Sequence, residues 1–340
     1  MKLKFLIIVL CLSTLQARNV VVKMATLAPE GTDWHGMLIE MGQEWKEATK
    51  GKVKLRIYPG GVLGDERDMV RKMRIGQIHA AGMTAEGLSE IVPEFAGYFV
   101  PLVYQSVEDV QAVTNEILPQ LETNLEKSGF KLLYLGELTW AYWFSAQPIK
   151  TPSDLKKSKF FTWAGDFKWE QVYKKAGYNP IPLASTDILS GLQTGLINTI
   201  PMPPIYALAQ QSFAIANHML NMKWGILMAG IVVDLKTWNR IPKKYHEDLI
   251  EITHSIQEKY KETNLKAEQS AIDARKNYGL TIHELNESEM DMWDSEVKRV
   301  SKYLRGNIIP ESIYDTVIRL TDKSLPDGPT VQVTSLHNKF

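Results

Sequence analysis

The sequence predicts an α/β protein of two lobes, in which mostly parallel strands alternate with helices and one long helix links the lobes. The 340 residues exceed the size, about 250 to 300 residues, at which one hydrophobic core stops growing. Strand-like and helix-like periods alternate along the chain, the pattern of a mostly parallel sheet with covered faces. A stretch from Lys243 to about Tyr278 holds neither Pro nor Gly, and a helix of that length can cross both lobes.

Taken in order, Val20 to Thr26 reads as the first strand. After a turn at Pro29 to Gly31, apolar Met37, Leu38, Met41, Trp45 and Ala48 recur at helical spacing until Gly51. Val53, Leu55 and Ile57 alternate with polar neighbours, a second strand, which the Pro59-Gly60-Gly61 turn ends. Asp65 caps a helix through Met69, Val70 and Met73 to Gly76, and Ile78 to Met83 makes a short strand. The pattern restarts with a strand at Lys131 to Leu135, a helix at Phe167 to Ala176 and a helix from Ser185 to Leu196. In the long helix Leu249, Ile252, Ile256, Tyr260, Leu265 and Ala271 keep near-helical spacing. Two helices, about Glu287 to Leu304 and Pro310 to Lys323, precede a polar tail with a Pro326-Asp-Gly-Pro329 turn. The expected division is lobe I at 18–138 plus about 226–262, lobe II at 139–225 plus about 263–324, and a tail at 325–340.

The first 17 residues, Met1-Lys-Leu-Lys, an apolar run from Phe5 to Leu12 and a short polar stretch to Ala17, have the layout of a secretory signal. The expectation is export to the periplasm. The run is too short for a spanning helix, and no other stretch reaches the roughly 20 apolar residues required. The single cysteine, Cys11, lies inside this leader; lipid attachment there is the alternative to its loss with the leader, although Leu10 precedes it where small residues are usual. Removing Lys2 and Lys4 leaves 37 basic against 39 acidic residues, a net charge near −2, which excludes nucleic acid or anionic membrane as an expected partner.

Enzyme signatures are missing. Gly60-Gly61-x-x-Gly64 lacks Gly-x-Gly spacing and reads as a turn before a helix, and no Gly-x-Ser-x-Gly, His-Glu-x-x-His or P-loop is present. The seven histidines show no metal-ligand pairing; only His246 and His254 share a helix, eight residues apart. No catalytic residue, metal or cofactor is expected.

Several ordered motifs carry a resemblance. They are Gly51-Lys-Val-Lys-Leu-Arg-Ile-Tyr-Pro-Gly-Gly-Val-Leu-Gly-Asp-Glu-Arg67, Met73-Arg-Ile-Gly-Gln-Ile78, Phe99-Val-Pro-Leu-Val-Tyr104, Pro148-Ile-Lys-Thr-Pro-Ser-Asp-Leu155 and Leu192-Gln-Thr-Gly195. In order and in register, over roughly Val20 to Ser324, they resemble segments of the periplasmic solute-binding subunits of tripartite ATP-independent periplasmic (TRAP) transporters. The resemblance implies a two-lobed periplasmic binding protein, type II-like, with crossing segments, a long lobe-spanning helix and a ligand held in the cleft by hinge closure. It further implies delivery to membrane permease subunits.

The resemblance also locates departures. Where carboxylate-binding members carry an Arg in a Lys-Ile-Arg-Val-Pro pattern, this chain reads Lys159-Phe160-Phe161-Thr162-Trp163, so Phe161 stands at the arginine position. The position of the other ligand-facing Arg is Leu138, the Asn of the late motif is replaced by Met202, and an aromatic position is filled by Ser185. A planar bidentate donor for a carboxylate is therefore missing. Trp140, Tyr142 and Trp163 add aromatic surface, with Trp143, Phe144, Phe167 and Trp169 nearby; Trp140 and Tyr142 share one strand face and Trp143 the other. Thr84 and Glu86 follow a strand end that faces the cleft in this architecture, where Glu86 suits a hydroxyl or an amine; Trp224 completes the candidate set. Arg67, Arg71 and Arg74 read as a solvated helix face.

Burying roughly 300 Å² of apolar ligand surface at about 25 cal/mol/Å² gives about 7 kcal/mol before association costs, whereas an unpaired buried carboxylate costs several kcal/mol. The expected ligand is a small hydrophobic or amphipathic molecule. The alternatives are a lipid-like carrier that hands cargo to a soluble tetratricopeptide-repeat partner, as in a branch of the family lacking the arginine, a carboxylate receptor with a displaced anchor, and a sensor module.

Overall fold

A computed structural model describes residues 19–321, with side chains except those of 213 and 261–267. The expected leader, Cys11 and the 325–340 tail lie outside the described residues. In chain order the elements are β1 (Val20–Thr26), α1 (Asp33–Ala48), β2 (Val53–Tyr58), α2 (Glu66–Arg74), β3 (Ala80–Thr84), α3 (Ala85–Ser89), α4 (Val107–Lys127) and β4 (Phe130–Ser145). There follow α5 (Pro152–Lys157), β5 (Phe160–Trp163), α6 (Phe167–Lys175), β6 (Pro180–Leu183), α7 (Ile188–Gln193), β7 (Thr199–Met202), α8 (Pro204–Ala209), β8 (His218–Leu220) and β9 (Gly225–Asp234). The chain ends with α9 (Leu235–Trp238), α10 (His246–Lys276), β10 (Thr281–His283), α11 (Glu287–Ser301) and α12 (Glu311–Leu320).

The strands follow the order β2-β1-β3-β9-β4-β7-β5-β6, with β8 beside β4 and β10 beside β8. Within each lobe the outer strands are parallel: β1 with β2 and β3, β5 with β6 and β7. The centre is antiparallel. β4 runs 16 residues out of lobe I into lobe II, pairing β9 from Phe130↔Asp234 to Ala141↔Gly225 and then β7 from Tyr142↔Met202 to Ser145↔Thr199. A strand that leaves a lobe and one that returns run in opposite senses, so side by side they pair antiparallel.

One core covers a face of the first sheet with β1, α1, α9 and the start of α10; Trp45 of α1 donates its indole N–H to Leu249 O at 3.0 Å and fixes α10 there. A larger core runs beneath the other face and through lobe II. Helix α1 forms because Trp34, Met37, Leu38, Met41 and Trp45 make one apolar stripe, and Thr32 caps its start. The 31-residue α10 matches the long Pro- and Gly-free stretch, and no helix among the described residues is long and apolar enough to cross a membrane.

Several expectations need correction. The helix expected from Ser185 to Leu196 is a 3₁₀ turn at Ser185–Asp187 followed by the short α7. Helix α12 packs on α4 and the Pro93–Phe99 turn, with Ile313 against Gly97, so the segment 263–324 does not belong wholly to lobe II. By contrast α11 packs on α5, and Trp293 donates to Lys150 O at 2.9 Å. Helix α4 and strand β9 had no counterpart in the sequence reading.

Candidate functional site

A cavity of about 510 Å³ lies between the lobes, in the size range of small-molecule sites. Its walls are the carboxyl ends of parallel strands together with the turns and helix starts just beyond them, the usual ligand position in α/β sheets. Lobe I supplies the Thr26 to Pro29 turn after β1, Trp34, and Thr84 with Glu86 where β3 becomes α3. Lobe II supplies β5 from Phe161 to Trp163, Asp166, and the stacked pair Trp169 and Tyr173 of α6. The crossing strands contribute Leu138, Ala141 and Trp224 to Leu227.

The lobes touch around this cavity, so the cleft is closed. Asp65 caps α2 by accepting from Glu66 N at 2.7 Å, and its carboxylate also accepts from Ser185 N at 2.9 Å and Ser185 Oγ at 3.2 Å in the other lobe. Two glycines permit this approach: Gly61, at φ 71°, has Thr186 Cγ2 2.7 Å from where a Cβ would stand, and Gly165, at φ 90°, lies against the Arg67 guanidinium.

Nine aromatic residues and three acidic ones line the cavity, with no Lys, Arg or His among its lining. Glu66 is 2% exposed and accepts from Thr84 N (2.7 Å), Thr84 Oγ1 (2.7 Å) and Gly87 N (2.8 Å). Burial outweighs these donors and raises its carboxyl to about 7. Burial, and then the charge and hydrogen bond of Asp166, push the Glu86 carboxyl well above the usual range; Glu66 adds to this and Arg67 partly offsets it. The nearest guanidinium, Arg67, pairs with Glu90 at 2.5 Å outside the lining, while its Nε is buried without a partner among the described residues.

Of the sequence candidates, Phe161, Trp163, Leu138, Met202, Ser185, Glu86, Thr84 and Trp224 line the cavity. Phe161 and Trp163, two apart on β5, meet edge to face at 5.4 Å. Trp140 and Tyr142 do not line it. The β4–β9 register slips between Glu137 and Thr139, so Leu138 is the extra residue of a bulge and the alternation resumes out of phase. Ala141 consequently faces the cavity, while the Trp140 N–H and the Tyr142 hydroxyl donate to Glu268 of α10 at 3.2 and 3.0 Å, joined there by the Thr139 hydroxyl. Trp143 is core, edge-on to Trp224 at 5.2 Å. The sequence reading missed Asp166, Trp169 and Tyr173 as lining residues and Glu66 as a buried acid. Asp166 carried one signal, three residues before Trp169, as an N-cap at a helix start.

Comparison with known proteins agrees with this fold. The family model described as bacterial extracellular solute-binding protein, family 7, matches residues 24–306. A solute-binding protein of Roseobacter denitrificans is 28% identical over 204 residues, 58% of this chain and 62% of that protein, so the chain spans less than two thirds of that relative. The 2,3-diketo-L-gulonate-binding periplasmic protein of Escherichia coli is 22% identical over 239 residues, 70% of this chain and 73% of that one. Among solved structures, a TRAP periplasmic solute-binding protein of Sulfurospirillum deleyianum with bound succinate superposes with a TM-score of 0.81 at 18% identity, covering 90% of this chain and 100% of that one.

Proposed function

The chain belongs to family 7 of the bacterial extracellular solute-binding proteins, the TRAP periplasmic solute-binding proteins, and from that premise we propose that it captures a small apolar or amphipathic molecule by closing its lobes around it. The observation that carries this reading is a 510 Å³ cavity between the lobes walled by nine aromatic residues, with acidic groups and no cation in its lining. A carboxylate placed there would meet Glu66, Glu86 and Asp166 with no counter-charge, at a cost of several kcal/mol. An apolar body on Phe161, Trp163, Trp224 and Met202 gains from burial and from polarizable contacts. Leader-directed periplasmic residence and hand-over to a membrane permease follow from the same reading; a soluble tetratricopeptide-repeat acceptor is its alternative partner. Native extraction and mass spectrometry of the purified protein tests it. Recovery of neutral or amphipathic molecules is expected, and recovery of a small dicarboxylate as the sole ligand would sink it.

One observation favours a second reading, a carboxylate receptor with a displaced anchor. The Arg67 Nε is buried without a partner among the described residues, beside Gly165 at the cleft, and the similar Sulfurospirillum deleyianum protein holds succinate. Rotation of Arg67 away from Glu90 would then bring a guanidinium to the ligand. An Arg67→Lys variant that abolishes carboxylate binding in calorimetry would support this reading; no carboxylate binding by the parent protein removes it.

A further inference from the structure

We propose that this cavity selects ligands bearing a protonated amine on an apolar body, with the ammonium held between Glu86 of one lobe and Asp166 of the other. The inference rests on the proposed apolar cavity and adds the head group. Glu86 opens α3, Asp166 caps α6 by accepting from Trp169 N at 3.2 Å, and both side chains line the same cavity. Burial and the neighbouring charge of Asp166 hold the Glu86 carboxyl well above the usual carboxylate range, and the lining of the cavity offers no cation to either acid.

The other charged groups near Glu86 do not supply a counter-ion inside the cavity. Glu66 is acidic and saturated by Thr84 and Gly87, and Arg67 is tied to Glu90 at 2.5 Å outside the lining. An ammonium between the two acids supplies the missing counter-charge, lets Glu86 ionise and donates a charge-assisted hydrogen bond to each. Tyr173, near enough to both acids for their charges to be felt at its hydroxyl, stacks on Trp169 at 5.5 Å, so aromatic faces flank the same point. Cation–π attraction to an aromatic face is stronger in a desolvated site than at an exposed one. Because the two acids come from opposite lobes, the amine completes its contacts only on closure, which is the differential affinity that closure by a ligand requires.

The test is calorimetry with three probes of nearly one shape, tryptamine, tryptophol and indole-3-acetate. Tryptamine is expected to bind at least about tenfold more tightly than tryptophol, to release a proton on binding (read from two buffers of different ionisation enthalpy), and to tighten as pH rises and Glu86 gives up its proton. Glu86→Gln and Asp166→Asn, the latter keeping a helix-capping side chain, should each weaken tryptamine at least about tenfold and reduce its advantage over tryptophol to within about twofold. Tryptophol binding as tightly as tryptamine, or tryptamine binding that neither variant changes, overturns the amine assignment and leaves the apolar reading intact. Tightest binding of indole-3-acetate, or no binding by any probe below about 1 mM, overturns both.

Discussion

Replacing Asp65 by Ala separates helix capping from lobe closure, because one carboxylate does both. Capping of α2 through Glu66 N exists whether the lobes are open or shut, and its loss costs about 1 kcal/mol in either state. The bonds from Ser185 N and Ser185 Oγ exist only in the closed form. An amide and a longer hydroxyl bond to a carboxylate stabilise by about 3 kcal/mol together, discounted for the half-exposed position to about 2 kcal/mol. The closed-to-open ratio should then fall about 30-fold, and where the open form dominates without ligand, affinity falls by the same factor. Ser185→Ala removes only the hydroxyl bond, about 1 kcal/mol or fivefold. The assay is energy transfer between dyes on cysteines introduced at the exposed Val62 and Leu196, in a chain starting at Arg18 and so free of Cys11, with calorimetry of ligand binding in parallel. Asp65→Asn should retain most of the melting temperature and still favour the open form. If Asp65→Ala lowers the melting temperature by the capping loss alone, with dye separation and affinity within twofold of the parent, the contact does not govern closure.

Four further outcomes are expected. Phe161→Arg should weaken binding of the natural cargo by tenfold or more, since it exchanges apolar wall for a guanidinium, and unchanged affinity in calorimetry would remove Phe161 from the site. Tyr142→Phe should leave ligand affinity within twofold, because its hydroxyl meets Glu268 and not the cavity; a tenfold loss would contradict that placement. Glu268→Ala should cost about 2 kcal/mol by freeing three donors of β4, a fall of about 3 °C in melting temperature followed by circular dichroism, and no fall would show the contact to be idle. Glu66 titrates near 7 in the folded state against 4.5 when unfolded, so the native form binds the proton more tightly. Its contribution, about 3 kcal/mol, is fully present below about pH 4.5 and is lost as pH rises through about 7. Denaturant titrations from about pH 5 to pH 8 should show that decline, and Glu66→Gln should flatten it; an equal slope in the variant would assign the decline elsewhere.

Much of the architecture was legible because it is written in local periods. The alternation at Val53, Leu55 and Ile57, the stripe from Trp34 to Trp45 and the unbroken run that becomes α10 each state their own element. Helix α4 was legible as well, through the Ser106 and Asp109 capping box and its buried Val110, Val113, Ile117, Leu121 and Leu125, but Pro119 inside it masks the pattern. Strand β9, a continuous apolar run buried along most of its length, has no alternation to distinguish it from a buried helix.

The cavity divided along the same line. That Phe161, Leu138 and Met202 are apolar at the positions where the family resemblance expects donors is a property of residue type, so an apolar wall was readable from the sequence alone. Which aromatics form that wall was decided by one extra residue at Leu138, a slip in pairing between β4 and β9 that takes Trp140 and Tyr142 off the cavity and gives the Tyr142 hydroxyl to Glu268 of α10. The meeting of Glu86 with Asp166, and of Asp65 with Ser185, also belonged to the tertiary structure. Partners 80 and 120 residues apart in the chain leave no periodic trace, because their proximity is set by how two rigid lobes close and not by any local preference of the chain.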